Sequence, residues 1–537
     1  MKKTTALKFY LKWHSSKLLL AAFVVLLVAA GFGLTSAAAR KQVYTVSTGF
    51  HSSPAKIDPA DLDKFLDEFF TQQMAELGIP GAAVTVVQEG EIIATKGYGY
   101  ADLENRTPVD PSTTLMRTGS TCKLVTATAV LQLVEEGRLD LNADVNGYLE
   151  NLVIPAETFG SVTLQQLLTH TAGFEDRVIG SLTIDPEEYL SLEEYLQGNI
   201  PQRVLEPGTI HSYSNFSFGL IGLIIDQTAG VPFENYAAEH IFQPLGMDRS
   251  SFEQPLPPEL AEELAVGYLV VDGNYQAASF VYDQTPPAGS MSTTAVDMAH
   301  FMIAHLQDGQ YQETKILTPV IAQQMHTQQF THHPSLPGLG YAFKERIFNG
   351  ERLIGHGGDI GTFSSQLILH PEDDWGFYLH YNVFNDALRE RFISAFLYRY
   401  YGSKGEEAVP ANLTLGQEEL DRFTGSYRWV RHPRSTFGKL LALIPGPVNV
   451  NIRANDDGTL SVGFFGAEVE WRYAQVEPLV FRQISGGVQG ISGLEFDLGD
   501  KLVFRESQFG DIEFAFVPFQ SVALQKVPWY EGGEAQM

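Results

Sequence analysis

Strand-forming segments at both ends of one long region constrain this 537-residue chain more than any other feature. Two β-rich runs within residues 78–104 meet at Glu89-Gly90, and further β-rich runs return within residues 352–383. Between them, residues 112–330 show mainly helical spacing of apolar side chains. A sheet completed by such distant segments requires an insertion between its strands. We therefore predict an α/β (α+β) fold class, with an antiparallel sheet flanked by helices and an inserted all-helical subdomain.

The first helix of this region has a clear start signal. Asp58 can cap the helix and Pro59 is favoured at its first position. Apolar side chains then recur at helical spacing at Leu62, Phe65, Leu66, Phe69 and Leu77. We expect a helix that faces the core, at the start of a domain covering residues 58–402.

The pattern changes after residues 402–420, which we take as the domain boundary. Val448, Val450 and Ile452 alternate with polar residues before a turn at Asp457-Gly458, and alternation resumes afterwards. A second hairpin is predicted around Gly499-Asp500. Hairpins at such short spacing indicate that residues 415–530 form a C-terminal all-β domain, most simply a barrel.

The N-terminal segment differs from the acidic remainder of the chain. Residues 1–17 carry five lysines and no acid, and an apolar run extends from Leu18 to Leu34. This pattern is typical of an export signal, with the remaining chain on the outer side of the membrane. Two forms stay open: residues 1–40 are a signal peptide cleaved near Ala37-Ala38-Ala39, or residues 18–39 remain as a membrane anchor. Residues 41–57 are predicted to be a tether.

Charge and cysteine content exclude some classes of partner and site. The formal net charge is -28, from 64 acidic and 36 basic residues, so the surface should repel the phosphates of nucleic acids. Cys122 is the single cysteine, which rules out an intramolecular disulfide and a cysteine-rich metal site. His326, His332 and His333 have no acidic neighbours at ligand spacing, so we interpret them as loop surface rather than as a metal site.

Ser120 and Lys123 lie three positions apart at the start of a long apolar helix that ends near Gly137. Residues at this spacing share a helix face, and a helix N-terminus presents N–H groups that would stabilise an oxyanion. A cap followed by a surface lysine would give the same pattern, and Ser53 and Lys56 repeat it in the tether. Cys122 points to another side of the helix, so we expect it to pack in the core.

The order of three motifs decides between these interpretations. Ser120 and Lys123 are followed by Tyr213-Ser214-Asn215 and then by His356-Gly357-Gly358. In this order the chain resembles the penicillin-recognising serine hydrolases, the superfamily of class C β-lactamases, D-alanyl-D-alanine carboxypeptidases and related esterases and D-amino-acid peptidases. The resemblance covers residues 58–402 and extends to the flanking segments 167–174, 207–222 and 355–365. The C-terminal domain more weakly resembles the lipocalin-like domains appended to some peptidases of this superfamily.

The resemblance implies a role for each motif residue. Ser120 would form an acyl-enzyme, with Lys123 and Tyr213 sharing the duty of base. Asn215 would hold Lys123 and the substrate carbonyl. Gly357 and Gly358 would let a strand edge approach the substrate, and the N–H of Asp359 would complete an oxyanion pair with that of Ser120. The resemblance implies neither a cofactor nor a metal, and His170 is interpreted as a structural residue.

His356 departs from the lysine that β-lactamases and carboxypeptidases usually carry at this point. Because histidine is largely neutral near pH 7, we expect weaker recognition of a substrate carboxylate. The favoured function is therefore an exported serine hydrolase acting on a small ester, amide or peptide, at ester or D-amino-acid amide bonds. Two alternatives stay open: a D-alanyl-D-alanine carboxypeptidase or β-lactamase, and a non-catalytic cell-surface binding module. The sequence leaves the oligomeric state undecided.

Overall fold

A computed structural model gives the structure of the chain. It describes residues 56–402, 415–443, 446–465, 470–486, 489–491, 494–496, 498–518 and 521–528. The predicted signal or anchor segment, residues 1–40, and nearly all of the predicted tether, residues 41–57, lie outside the described residues.

One antiparallel sheet organises the first domain, and it joins the two ends of the region as predicted. Among the described residues its strand order is β12-β13-β14-β15-β1-β2-β3, with every neighbouring pair antiparallel. The strands are β1 (Gly81–Gln88), β2 (Glu91–Asp102), β3 (Thr107–Pro108), β12 (Lys344–Phe348), β13 (Glu351–Ile360), β14 (Phe363–His370) and β15 (Trp375–Tyr381). The turn between β1 and β2 places Glu89 and Gly90 at positive φ, 52° and 78°, as a tight hairpin requires.

Helices cover the sheet and fill the inserted region. They are α1 (Pro59–Leu77), α2 (Lys123–Glu135), α3 (Leu164–Leu168), α4 (Leu192–Gly198), α5 (Asn215–Ala229), α6 (Phe233–Ala237), α7 (Gln243–Leu245), α8 (Pro258–Ala261), α9 (Pro286–Gly289), α10 (Ala295–Leu306), α11 (Pro319–His326) and α12 (Asp386–Tyr401). Short 3₁₀ helices form at Gly119–Cys122, Val145–Tyr148 and Pro186–Glu188, and a π-helical turn at Ala238–Phe242. Small two-stranded pairs interrupt the helical region: β4 (Met116–Arg117) with β9 (Ser292–Thr293), β5 (Leu182–Thr183) with β8 (Tyr282–Asp283), β6 (Tyr268–Val271) with β7 (Asn274–Ala277), and β10 (Gln310–Tyr311) with β11 (Thr314–Lys315).

Helix α1 confirms the start signal seen in the sequence. The side chain of Asp58 accepts a hydrogen bond from the backbone N–H of Ala60 at 3.0 Å, and the helix ends at Gly78 in the left-handed conformation. Its apolar face packs with α12 against one side of the sheet, where Phe65, Phe392 and Phe377 belong to one buried cluster. The other side of the sheet carries the larger core, to which α2, α5 and α10 contribute.

The C-terminal domain is a closed barrel with the strand order β16-β17-β18-β19-β20-β23-β24-β25. A short helix, α13 (Gln417–Asp421), precedes it. The strands are β16 (Gly425–Trp429), β17 (Gly446–Ala454), β18 (Leu460–Phe465), β19 (Glu470–Glu477), β20 (Val480–Ser485), β23 (Lys501–Glu506), β24 (Ile512–Val517) and β25 (Val522–Lys526). The all-β, barrel-like prediction is confirmed, and Asp457-Gly458 lies in the turn between β17 and β18 as expected.

The predicted hairpin around Gly499-Asp500 is wrong. The strand before this turn, β22 (Leu494–Phe496), pairs with β21 (Gln489–Ile491) in a separate two-stranded sheet. The strand after it, β23, pairs with β20 and β24 inside the barrel. Alternating apolar residues identify a strand, but closure of the barrel decides which strand becomes its partner.

The barrel and the first domain share a buried apolar cluster. Leu205, Ile210 and Leu336 of the first domain pack with barrel side chains that include Phe514 and Phe516. This contact lies next to the segment that leads into α5, so the barrel is placed beside the motif residues.

Among the described residues no single helix is long and apolar enough to cross a membrane. The bent pair Asn215–Ala229 and Phe233–Leu245 has sufficient length and apolar composition when the two helices are taken together.

Candidate active site

Ser120 lies in the 3₁₀ turn that leads into α2, where the turn touches strand β13. Gly119 has φ of 53°, and a Cβ there would lie 2.4 Å from the backbone nitrogen of Asp359. A Cβ at Gly358 would lie 2.0 Å from the carbonyl oxygen of Thr118 and 2.7 Å from the backbone nitrogen of Ser120. Two residues without side chains therefore let the serine turn and β13 approach until the N–H groups of Ser120 and Asp359 flank one small region, as an oxyanion site requires.

Lys123 is fully buried at the first position of α2 and its amine joins three segments of the chain. Its Nζ lies 3.0 Å from Ser120 Oγ, 2.8 Å from Asn215 Oδ1 and 2.5 Å from the carbonyl oxygen of Ala288. An ammonium group can donate to all three oxygens. A neutral amine can keep both carbonyl bonds and accept the hydroxyl proton of Ser120, so this geometry supports proton transfer in either direction.

Tyr213 and Asn215 are held by the start of α5. Ser214 caps this helix, with its side chain accepting from the N–H of Ser217, and its own N–H donates to Nδ1 of His170 at 3.2 Å. The His170 ring packs on the Tyr213 ring with centroids 4.2 Å apart. Burial lowers the pKa of His170 well below its usual value, so its ring is neutral. His170 therefore has the geometry of a positioning residue for the motif.

The ring of Tyr213 lies beside Lys123. Lys123 Nζ is 5.0 Å from the centroid of the Tyr213 ring, and the tyrosine is 7% exposed. Its hydroxyl makes no hydrogen bond with other described residues. Lys123 thus contacts Ser120 directly and lies beside the Tyr213 ring, so the three residues predicted to carry acyl transfer are neighbours.

His356 is buried and neutral. Its Nδ1 donates to the carbonyl oxygen of Gly357 at 2.6 Å, which leaves Nε2 as an acceptor. Burial, with Lys344 and Lys123 nearby, lowers its pKa well below the usual value for histidine. His356 therefore offers no positive charge to a substrate carboxylate, in line with the expectation from the sequence.

Asp359 contributes its backbone rather than its carboxylate to the site. Arg389 of α12 donates to both carboxylate oxygens, at 3.0 and 2.9 Å, and Ser364 Oγ donates at 2.7 Å. These bonds fix the residue whose N–H faces the serine turn. Sequence reasoning missed Arg389, because it lies in an amphipathic helix with no motif around it.

Two further residues near Ser120 also lacked a sequence signal. The Ala288 carbonyl that meets Lys123 belongs to a Pro-Pro-Ala-Gly segment that looked like an ordinary connection. Ser365 Oγ donates to the carbonyl oxygen of Thr118 at 2.6 Å and lies 2.7 Å from Thr121 Oγ1, so it ties the serine turn to β14. Only pairing of β13 with β14 places Ser365 next to this turn.

Cys122 is a core residue and has no environment that would activate its thiol. It is 0% exposed, and burial raises its thiol pKa to about 12. This agrees with the prediction that it packs in the core rather than competing with Ser120.

The interpretation of the histidine cluster as loop surface is wrong for two of its three members, His326 and His332. His326 is buried, with its Nε2 3.1 Å from Nδ1 of His305. His332 stacks on Phe516 of the barrel at 4.2 Å, and its Nε2 accepts from the N–H of His211. Packing of α11 buries His326, and packing of the barrel covers the His332 ring; the local sequence showed neither. In the part of the chain that the structure describes, no cluster of His, Cys, Asp or Glu is suited to a metal ion.

Comparison with known proteins identifies the family of this chain. A family model described as Beta-lactamase matches residues 66–397. The chain belongs to the β-lactamase family. This family consists mostly of serine hydrolases that act on small-molecule substrates.

Two curated relatives illustrate how far the similarity extends. The chain is 26% identical to Protein flp of Staphylococcus aureus (strain N315) over 326 residues, which cover 59% of this chain and 62% of flp. It is 32% identical to the putative penicillin-binding protein PbpX of Bacillus subtilis (strain 168) over 256 residues, covering 46% of this chain and 60% of PbpX. The chain therefore spans about three fifths of the length of these relatives.

Solved structures share the fold. The crystal structure of SurE matches with a TM-score of 0.61 and 20% identity, covering 88% of this chain and 100% of SurE. An octameric penicillin-binding protein homologue from Pyrococcus abyssi matches with a TM-score of 0.55 and 23% identity, covering 87% of this chain and all of the homologue. At these identities the likeness concerns the fold.

Proposed function

We propose that this β-lactamase-family protein is an exported serine hydrolase that cleaves ester or D-amino-acid amide bonds through an acyl-enzyme on Ser120. The observation that carries the proposal is the placement of Lys123 Nζ, 3.0 Å from Ser120 Oγ and 2.8 Å from Asn215 Oδ1. A serine hydroxyl needs a base within hydrogen-bond reach, and Lys123 is within that reach.

In the proposed reaction Ser120 Oγ bonds to the substrate carbonyl carbon while its proton passes to Lys123 or to the Tyr213 phenolate. The N–H groups of Ser120 and Asp359 stabilise the oxyanion. The bond to the leaving group then breaks, and the leaving group receives the proton. Water activated by the same base hydrolyses the acyl-enzyme and restores Ser120.

Support for the D-amino-acid part comes from the neutral His356 and from a relative. SurE has also been solved with D-Leu, at a TM-score of 0.59 and 20% identity to this chain. Support for export comes from the basic and apolar N-terminal segment, residues 1–34. We propose that the domains 58–402 and 415–530 are delivered outside the cytoplasm, either released or held by residues 18–39.

Replacement of the nucleophile tests the proposal. We expect Ser120→Ala to abolish hydrolysis of a short-chain p-nitrophenyl ester and labelling by a fluorophosphonate, whereas Ser53→Ala, in the second Ser-x-x-Lys match, should change neither. Lys123→Ala or Tyr213→Phe should lower kcat by about a hundredfold or more, since general base catalysis contributes that much. Mass spectrometry of the labelled peptide identifies the reactive serine.

The same assay separates the alternative functions. Full hydrolysis by Ser120→Ala would refute the acyl-enzyme. Absence of labelling and hydrolysis in the unmodified protein would favour a non-catalytic binding module. Covalent labelling by a fluorescent penicillin would favour a D-alanyl-D-alanine carboxypeptidase or β-lactamase.

A further inference from the structure

Three cationic side chains surround the ring of Tyr213. The centroid of this ring lies 5.0 Å from Lys123 Nζ, 4.9 Å from Lys344 Nζ and 4.5 Å from the guanidinium carbon of Arg431. Lys123 belongs to the first motif, but Lys344 and Arg431 belong to none of the three. The chain as a whole is strongly acidic, at -28, so this positive cluster contrasts with its surroundings.

Lys344 is the first residue of β12 and lies opposite Gly355 in the sheet. Its amine makes no hydrogen bond or ion pair with the described residues. The charged groups that act on it most strongly are Arg431 from the barrel, Lys123 from α2 and Arg389 from α12, and all are positive. His356, Tyr213, His170 and His211 complete its titratable neighbours. Lys344 therefore lacks a counter-ion among the residues that the structure describes.

Arg431 is brought to the site by the barrel. It follows β16, and its Nε donates to Asp176 at 2.8 Å. Next to it, the buried Glu175 accepts from the backbone N–H and the hydroxyl of Ser435. This second anchor holds the same loop, so Arg431 is kept over Tyr213. The two terminal nitrogens of its guanidinium make no hydrogen bond with the described residues.

The edge of β13 next to these cations is open. Pairing of β12 with β13 stops at Lys344 and Gly355, whereas β13 continues through His356 to Ile360. Among the described residues, the last five residues of β13 pair with a strand on one side only, that of β14. An extended substrate lying along this edge towards Ser120 would place its terminus within reach of Lys344 and Arg431.

We propose that Lys344 and Arg431 form an anion subsite that binds the free carboxylate of the substrate. This inference rests on the proposed function and narrows its substrate class to acyl donors that carry a carboxylate near the scissile bond, such as peptides with a C-terminal D-amino acid. It also replaces the expectation, drawn from the neutral His356, that the site recognises a substrate carboxylate only weakly. The positive charge absent from the third motif is supplied by β12 and by the barrel.

The chemistry of the two side chains suits a carboxylate. A guanidinium presents parallel N–H donors to the two oxygens, and an ammonium adds a point charge. Burial and the nearby cations lower the pKa of Lys344 to about 7. A bound carboxylate favours the protonated amine, so binding is accompanied by proton uptake above pH 7.

Paired substrates test the subsite. Benzoyl-D-alanyl-thioglycolate carries a free carboxylate, whereas its methyl ester is neutral and otherwise identical. Release of thiol is followed at pH 6, where Lys344 is protonated. We expect Lys344→Met or Arg431→Met to lower the ratio of kcat/KM values, carboxylate over methyl ester, by about tenfold to a hundredfold, as expected for loss of a charge-assisted hydrogen bond. Lys315→Met removes one positive charge from an exposed position in β11 and should leave the ratio unchanged.

The outcomes are distinguishable from failure of the proposed function. Equal losses on both substrates, or an unchanged ratio in both variants, would overturn the subsite while leaving the hydrolase intact. If the unmodified protein cleaves neither thioester, the rate of fluorophosphonate labelling at Ser120 replaces turnover. N-acetyl-D-alanine should then slow labelling more than its methyl ester does, and equal protection by both would overturn the subsite. Absence of labelling at Ser120 contradicts the proposed function itself.

Discussion

At the residue scale, Lys123 shows how one side chain can serve several steps. Its amine contacts a hydroxyl and two carbonyl oxygens, from Ser120, Asn215 and Ala288. The two carbonyl groups fix its position in either protonation state, because a neutral amine still has two N–H groups. Proton exchange with Ser120 therefore requires no movement of Lys123, which favours fast transfer in both steps of the proposed acyl-enzyme reaction.

Lys344 differs from Lys123, because its amine forms no hydrogen bond or ion pair with the described residues. Its pKa is about 7 in the folded protein and about 10.5 when exposed, so the unfolded chain binds the extra proton between these values. The free energy of unfolding therefore rises with pH across this window. The destabilisation caused by the buried ammonium of Lys344 reaches its full value below pH 7. We expect Lys344→Met to raise the Tm at pH 6 and to raise it less at pH 9.5, as measured by circular dichroism. A lower Tm for the variant at pH 6 would contradict an uncompensated charge at this position.

At the element scale, the contact between the serine turn and β13 decides whether the site forms. Thr118 accepts from Ser365, and Thr121 Oγ1 donates to the carbonyl oxygen of His356 at 3.2 Å. These bonds connect the turn to β13 and β14. The turn can approach so closely because Gly358 has no side chain. This motif glycine therefore allows contact with the serine turn as well as access for the substrate.

Neighbouring glycines offer a matched comparison at this scale. A Cβ at Gly358 meets backbone atoms of Thr118 and Ser120, whereas a Cβ at Gly357 meets the end of the flexible Gln366 side chain at 2.8 Å. We expect Gly358→Ala to displace the serine turn and lower kcat on a p-nitrophenyl ester by about 10²-fold to 10³-fold, the cost of losing an oxyanion donor. Gly357→Ala should lower kcat less than Gly358→Ala does, because the Gln366 side chain can move aside whereas the backbone of the serine turn cannot. Similar activities for the two variants would contradict the proposed contact.

At the scale of the whole molecule, the barrel forms part of the wall of the candidate active site. It supplies Arg431 over Tyr213, its Ser521 carbonyl oxygen accepts from His211 Nδ1 at 3.0 Å, and its Phe516 stacks on His332. The shared apolar cluster lies under these polar contacts. The barrel is thus coupled to the site by charge, hydrogen bonds and packing.

Removal of the barrel measures this coupling. Deletion of residues 415–537 exposes Leu205, Ile210 and Leu336, and each such side chain contributes about 1.5–3 kcal/mol when buried. We expect calorimetry to show a lower Tm for the remaining domain, together with reduced turnover of the p-nitrophenyl ester. An unchanged Tm and unchanged turnover would indicate that the barrel is an independent appendage.

Local signals explain which parts of the fold were predictable. The start of α1 follows from Asp58 and Pro59, and the first hairpin follows from Glu89-Gly90, because capping and turn geometry depend on a few neighbouring residues. The family is confirmed by the match to residues 66–397, and the order of three short motifs was enough to predict it. The structure places Lys123 within hydrogen-bond distance of Ser120 and Asn215 and beside the Tyr213 ring, while the catalytic roles of these residues stay predictions.

The sequence by itself determined the start of α1, the first hairpin, the fold class and the chemistry-bearing motifs, since each depends on nearby residues or on a characteristic order. The tertiary structure alone decided the partners: the Ala288 carbonyl on Lys123, Arg389 on Asp359, and Lys344 with Arg431 around Tyr213. It also decided that β23 joins β20 rather than β22. The physical reason is that such contacts join residues far apart in the chain, and the packing of whole layers selects them without leaving a pattern around either residue.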